Sequence, residues 1–248
     1  MTGAMDSAAP TPGQPETHAV RDMFDRIAPR YDLLNRVLSA GTDARWRRRA
    51  VSALRLREGG RVLDVCSGTA DLLMETLGRD RAALGLGVDL SGKMLARGLE
   101  KLRVAGFGGR STLTVGDAVR LPAASSAFDG VLVAFGIRNV ADRAGALAEM
   151  QRILRPGGRA VILEFSVPGG LFGRFYRMYF EHVLPRIGAL VSGDVSAYRY
   201  LPASVEQFPQ PEAFGDLMRA AGFDDVAFES LTGGIAHLYR GRRPPRPE

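Results

Sequence analysis

Four carboxylates stand where a small polar ligand could be held. Asp64 sits inside a short apolar run, Asp89 ends a second, Asp117 follows a third, and Asp71 lies seven residues after the first. The first run, Arg61-Val62-Leu63-Asp64-Val65, breaks at Ser67-Gly68 and leads into a helix-like segment from Ala70 to Leu77. Strand, tight turn and helix in that order make the opening unit of a nucleotide-binding α/β sheet. Asp89 comes 25 residues after Asp64. An acid at the end of the second strand is where doubly wound sheets hold ribose hydroxyls.

The turn selects among nucleotides. A dinucleotide fingerprint requires glycine where this chain has Cys66, Gly68 and Asp71, and only Gly68 fits. Asp71 would stand in the first helical turn, where a pyrophosphate otherwise rests on the helix N-terminus. A carboxylate there repels phosphate and suits a ligand with no phosphate and a positive charge. S-adenosylmethionine, a nucleoside joined to an amino acid through a sulfonium, is such a ligand. The same acids can instead cap the turn and helix, and Gly116-Asp117 can be a surface turn. Taken together, Asp64, Gly68, Asp89 and Asp117 are far more specific than any one of them. All four cluster at the carboxyl ends of strands, where parallel sheets bind ligands.

Regular alternation must position these groups. Strands are predicted at 61–65, 83–88, 111–115, 130–134 and 160–165, with helices at 70–78, 93–104 and 142–154 between them, which argues for a parallel sheet. Arg155-Pro156-Gly157-Gly158 is read as the stop of the last of these helices. Helices are also predicted at 16–28, 31–38 and 43–54 before the sheet, and at 211–221 after it. Strands at 225–230 and 235–240 join through Leu231-Thr232-Gly233-Gly234. The expected fold is α/β, a Rossmann-like seven-stranded class I S-adenosylmethionine-dependent methyltransferase fold with an N-terminal helical preface. One domain is expected over residues 16–241, with the preface at 16–55 and a lid-like insertion at 171–200. Residues 1–15 and 242–248 are expected to be disordered.

Composition excludes several classes. The 248 residues are 46% hydrophobic and 24% charged, as in ordinary soluble domains. Cys66 is the single cysteine, so no internal disulfide forms and a reducing compartment is expected. His18, His182 and His237 are too scattered to form a metal-ligand set by spacing, and no metal is expected. The net charge of +6 is concentrated in Arg45, Arg47, Arg48 and Arg49 and in Arg240, Arg242, Arg243 and Arg246. Such clusters are a solvated face or a weak attraction to anionic membrane surfaces. No nucleic acid is expected as a partner. With no apolar run near ~20 residues, the expected location is cytoplasmic, peripheral at the inner face of the membrane.

Phe135-Gly136-Ile137-Arg138-Asn139-Val140 follows the fourth strand and sets a cation and an amide at the mouth of the site. This block, Tyr31-Asp32-Leu33-Leu34-Asn35-Arg36-Val37-Leu38-Ser39 with Trp46, and Arg152 to Gly158 through Leu163-Glu164-Phe165-Ser166 carry a resemblance. The chain resembles the UbiE/MenG-type quinone C-methyltransferases from Phe24 to Gly241. Asp43 stands where that family usually has histidine, Leu34 where it usually has methionine, and Ala134 where some members have serine. The resemblance implies that Thr69, Asp89, Asp117 and Ala118 contact S-adenosylmethionine. It implies methyl transfer to a ring carbon of a reduced polyprenyl quinone, most simply demethylmenaquinol to menaquinol. In that reaction Arg138 would face the developing oxyanion, while Asn139 and Tyr31 orient substrate or water. The aromatic-rich segment 171–191 would wall the prenyl tail. The benzoquinol precursor of ubiquinone, another small lipid, a nicotinamide cofactor, or a non-catalytic nucleoside-binding module remain the alternatives.

Overall fold

The computed structural model describes residues 17–39, 41–170, 173–174, 178 and 195–245. The expected N-terminal arm and most of the expected insertion at 171–200 lie outside the described residues.

Seven strands form one sheet in the order β3-β2-β1-β4-β5-β7-β6. These are β1 (Arg61–Val65), β2 (Leu84–Asp89), β3 (Ser111–Val115), β4 (Phe128–Ala134), β5 (Leu154–Phe165), β6 (Asp224–Leu231) and β7 (Ala236–Arg242). The first five run parallel, and β7 is antiparallel to both β5 and β6. Val62, Leu63 and Val65 have no exposed surface, as expected of a central strand covered on both faces. The strand order reverses direction between β1 and β4, so their carboxyl ends open a crevice.

Helices cover both faces. They are α1 (Thr17–Ile27), α2 (Tyr31–Leu38), α3 (Asp43–Leu54), α4 (Asp71–Arg79), α5 (Gly92–Val104), α6 (Arg143–Ile153), α7 (Val195–Glu206) and α8 (Pro211–Ala220). One core lies under α3 and α4, with Trp46, Leu54, Leu73 and Leu77 against Leu132 and Val161. The other lies under α6 and α8, with Leu147, Met150, Phe214 and Met218 against Val131 and Ile162. Trp46 Nε1 donates to Thr232 Oγ1 at 2.9 Å, which pins α3 to the β6–β7 turn.

Most boundaries differ from the sequence reading by a residue or two, and two differ in kind. The Arg155-Pro156-Gly157-Gly158 segment is not a helix stop. Helix α6 ends at Ile153, Leu154 already pairs with Phe128, and the four residues bulge out before Arg159 pairs with Gly130. The tail also begins later than residue 242. Arg242 ends β7, and Arg243 exchanges backbone bonds with Gly157 and Gly158 at 2.9 and 2.8 Å. The Arg243 guanidinium adds a bond to the Arg152 carbonyl at 2.9 Å, so this end of the chain is anchored.

Candidate functional site

A cavity opens at the carboxyl ends of β1, β2 and β4. Gly68, Asp89, Asp117, Ala118 and Asn139 line it from the sheet side, and Tyr31 lines it from the preface. Helix α1 closes it with Val20, Arg21 and Phe24. The Phe24 ring meets the Tyr31 ring edge-on, with centroids 6.1 Å apart.

The backbone builds the floor. Cys66 adopts φ 55° and Gly68 adopts the same value, so the chain reverses sharply after β1. Ser67 N–H donates to the Val88 carbonyl at 3.0 Å, tying the turn to β2. Gly68 N–H donates to Asp89 Oδ2 at 2.9 Å, and Ser91 N–H donates to Asp89 Oδ1 at 2.8 Å. These amides orient the carboxylate. Burial nevertheless pushes the Asp89 carboxyl above its usual range, partly offset by the backbone amides of Ser91, Gly68 and Leu90. Asp117 accepts from Val119 N–H at 3.1 Å and holds its own turn at the cavity wall. Gly136 admits no side chain, because a Cβ there would lie 2.3 Å from the Cys66 Cβ. The cavity thus requires the two loops after β1 and β4 to touch. Burial raises the Cys66 thiol well above its usual value, which keeps it a thiol rather than a nucleophile.

Four residues expected at the ligand do not line the cavity. Asp64 is buried behind the turn and accepts from the Ser67 hydroxyl at 2.8 Å. Burial lifts its carboxyl to about 7. Thr69 donates to Asp32 Oδ1 on α2, and Asp71 is bound to Lys101 on α5. Both therefore face the preface side of the turn. Arg138 is buried in the short turn after β4, where its Nη1 lies 2.8 Å from Glu164 Oε1. Its N–H donates to Glu164 Oε2 at 3.1 Å, its Nη1 also donates to the Phe135 carbonyl, and its Nε bonds Ser204 at 3.3 Å. A guanidinium so neutralised offers little charge to a ligand at the mouth.

Asn139 and Tyr31 do reach the cavity. The Tyr200 hydroxyl of α7 donates to Asn139 Oδ1 at 2.9 Å. That fixes the amide with its Nδ2 donors turned away from Tyr200. Burial raises the Tyr31 phenol, so it stays protonated at neutral pH. Sequence reasoning missed Glu164, Lys101, Asp32 and Tyr200. Glu164 carried the same signal as Asp64, an acid near the end of an apolar strand. Asp32 stood in the Tyr31–Ser39 block with no role assigned to it, and Lys101 carried no signal, because its partners Asp32 and Thr69 lie 69 and 32 positions away and meet it only in the fold. The basic clusters split as well. Arg47 is committed to Asp43 at 2.7 Å and Asp71 at 3.5 Å, whereas Arg45 and Arg48 are exposed. Among the described residues no helix is long and apolar enough to cross a membrane.

Comparison with known proteins gives the arrangement a context. The cyclase SpnF superposes with a TM-score of 0.72 at 17% identity, covering 96% of this chain and all of that one. A SAM-dependent methyltransferase from Thermotoga maritima superposes with a TM-score of 0.63 at 22% identity, covering 90% and 99%. These likenesses establish the Rossmann-like class I fold and leave the reaction open. Sequence likeness goes further. A Geobacter sulfurreducens protein named ubiquinone/menaquinone biosynthesis C-methyltransferase UbiE is 50% identical over 226 residues, 90% of this chain and 88% of that one. A Thermus thermophilus protein named demethylmenaquinone methyltransferase is 50% identical over 223 residues, 90% of this chain and all of that one. With a family profile matching residues 13–243, the chain belongs to the ubiE/COQ5 methyltransferase family.

Proposed function

We propose that this protein transfers a methyl group from S-adenosylmethionine to a ring carbon of a reduced polyprenyl quinone, demethylmenaquinol being the first acceptor to test. The observation that carries the reading is the cavity at the β1–β4 crevice, walled by Asp89, Asp117 and apolar groups, where the one basic lining side chain among the described residues, Arg21, is paired with Asp22. Asp71 stands in the first turn of α4 where a dinucleotide fingerprint would have glycine. The donor set fits a nucleoside with a cationic tail. Asp89 would hold the ribose hydroxyls, Asp117 and the Ala118 backbone would hold adenine, and Gly68 would lie against the amino-acid end. When bound, S-adenosylmethionine supplies an electrophilic methyl group.

The chain's own groups then favour attack by the acceptor. A quinol hydroxyl has a pKa of about 10, like tyrosine. Asn139, with Oδ1 held by Tyr200, turns its Nδ2 donors to the quinol oxygen as charge develops there. Tyr31, protonated, positions the ring or a water that takes the phenolic proton. Arg138 acts through the turn that carries Asn139. The new carbon–carbon bond would form as the ring carbon attacks the methyl carbon and the sulfur–methyl bond breaks, leaving S-adenosylhomocysteine, and the ring proton would leave to solvent to restore aromaticity. The alternative acceptor is the benzoquinol precursor of ubiquinone. The tailed acceptor resides in a bilayer, so a peripheral, salt-sensitive association with anionic membranes follows from the same reading.

Incubation with methyl-labelled S-adenosylmethionine and each chemically reduced precursor tests the reading. The expected product carries one labelled methyl on a ring carbon. Transfer to neither quinol, or tight binding of NADH with no response to adenosyl ligands, would overturn it.

A further inference from the structure

Lys101 lies outside the cavity, yet it bonds three groups of the site's scaffold at once. It follows Gly98 by one turn of α5. A Cβ at Gly98 would meet the Ala70 Cβ and the Thr69 carbonyl carbon at 3.1 Å, so glycine lets α5 dock tightly against the turn after β1. From there the Lys101 ammonium reaches Asp32 Oδ2 at 2.9 Å, Thr69 Oγ1 at 3.1 Å and Asp71 Oδ1 at 2.5 Å. Those three bonds use every donor the ammonium has. The Thr69 hydroxyl donates to Asp32 Oδ1, so both oxygens of that acid are engaged.

The contacts continue to the far end of the same helix. Asp71 also faces Arg47, Arg47 pairs with Asp43, and Asp43 accepts from the Ser39 hydroxyl at 2.7 Å. Asp32 adjoins Tyr31 at the start of α2, and Ser39 follows its last residue. Helix α2 is therefore tied at both ends to one charged chain. Helix α1 buries only Val20 and Met23 and has its own tether, Asp25 to the Ser91 hydroxyl. The side chains of Lys101, Asp32 and Asp71 are 25%, 26% and 31% exposed. Bonds at that depth are individually weak and screened by salt. Ties of that kind can release and re-form without unfolding the sheet beneath them.

We propose that Lys101 is the latch of a cover made by α1 and α2, and that releasing its three bonds lets the cavity exchange its ligand. Lys101 is a positioning residue. It holds Tyr31 and the α1 wall over the cavity through Asp32. The ligand-exchange half rests on the cofactor reading above, whereas the latch itself does not.

Hydrogen exchange of the intact chain, read peptide by peptide, tests the latch. Lys101→Met keeps the stem and removes the charge. Exchange over residues 17–38 should quicken about tenfold while α4 and β4 keep their protection. Salt at about 0.5 M should quicken the same peptides in the wild type and add little in the variant. Lys101→Arg should restore part of the protection. Should Lys101→Met fail to fold, Asp32→Asn loosens the same bonds and should give the same local pattern more weakly. Unchanged exchange over 17–38, or a uniform rise across the whole chain, would overturn the proposal. For ligand exchange, S-adenosylhomocysteine should leave the variant faster in stopped-flow measurements. Local loosening with no response to any adenosyl ligand would keep the latch and overturn the cofactor reading.

Discussion

Arg138 and Glu164 form a buried ion pair at 2.8 Å, with side chains 7% and 0% exposed. The pair joins the turn after β4 to the end of β5, and that turn carries Asn139. Removing one partner of such a pair leaves a buried charge and costs about 3–5 kcal/mol. Arg138→Ala and Glu164→Ala should therefore lower the melting temperature together and lose turnover to a similar degree. Replacing both with apolar residues, Arg138→Met with Glu164→Leu, should recover much of the stability and little of the turnover. Arg138→Lys should rescue poorly, because a point charge cannot serve Glu164, the Phe135 carbonyl and Ser204 at once. A variant Arg138→Ala with wild-type melting and lost turnover would instead assign the guanidinium to the acceptor.

Asp89 supports a sharper binding prediction. Its two oxygens are oriented by the Gly68 and Ser91 amides. Charge-assisted bonds from such a carboxylate contribute about 1.5–3 kcal/mol each. Asp89→Ala should weaken S-adenosylhomocysteine binding by at least about tenfold, and calorimetry reads this directly. Equal affinity in a folded Asp89→Ala protein would reduce Asp89 to a strand cap.

The contact between Cys66 and Gly136 makes a paired prediction. Gly136→Ala should destabilise the protein and close the cavity mouth, because its Cβ would lie 2.3 Å from the Cys66 Cβ. Cys66→Gly removes that atom and suits the φ of 55° at position 66. Alone it should be neutral or stabilising by up to about 1 kcal/mol, and it should rescue Gly136→Ala. If the double variant melts no higher than Gly136→Ala alone, the two loops are not in the contact described.

Much of the fold was legible because local patterns wrote it. Apolar runs, Gly-containing turns and helical spacing marked all seven strands, and the largest boundary error came at Arg155 to Gly158, where a bulge mimics a helix stop. The cavity acids Asp89 and Asp117 were legible for the same reason, since strand ends can be counted. Asp64, Thr69, Asp71 and Arg138 were singled out as chemical groups, but their orientation depends on packing. Asp64 turns back into the core, and Arg138 turns toward Glu164, whose pairing with it spans 26 residues. Lys101 was invisible, since a lysine on an amphipathic helix carries no sign that three acceptors will converge on it.

Asp64 yields the prediction that depends on pH. Its carboxyl titrates at 3.8 before any influence of the fold and at about 7 in the structure, chiefly through burial, against bonds from Ser67 and Leu73. Between those values the folded state holds a proton that the unfolded state has released. Stability from this group is full below pH 4 and is lost as pH rises toward and through 7. The span of about three pH units corresponds to roughly 4 kcal/mol. Asp64→Asn keeps an acceptor for the Ser67 hydroxyl and removes the titration. Relative to wild type, the variant should gain stability from pH 5 to about pH 7 (about 1 kcal/mol or more per unit in the middle of that range) and level off by pH 8. Urea unfolding of both proteins at matched pH reads the difference, in which contributions from the other titrating groups largely cancel. A stability difference that stays flat across that range would show that Asp64 is already ionised in the fold, and that the turn after β1 is held by a carboxylate rather than by a carboxylic acid.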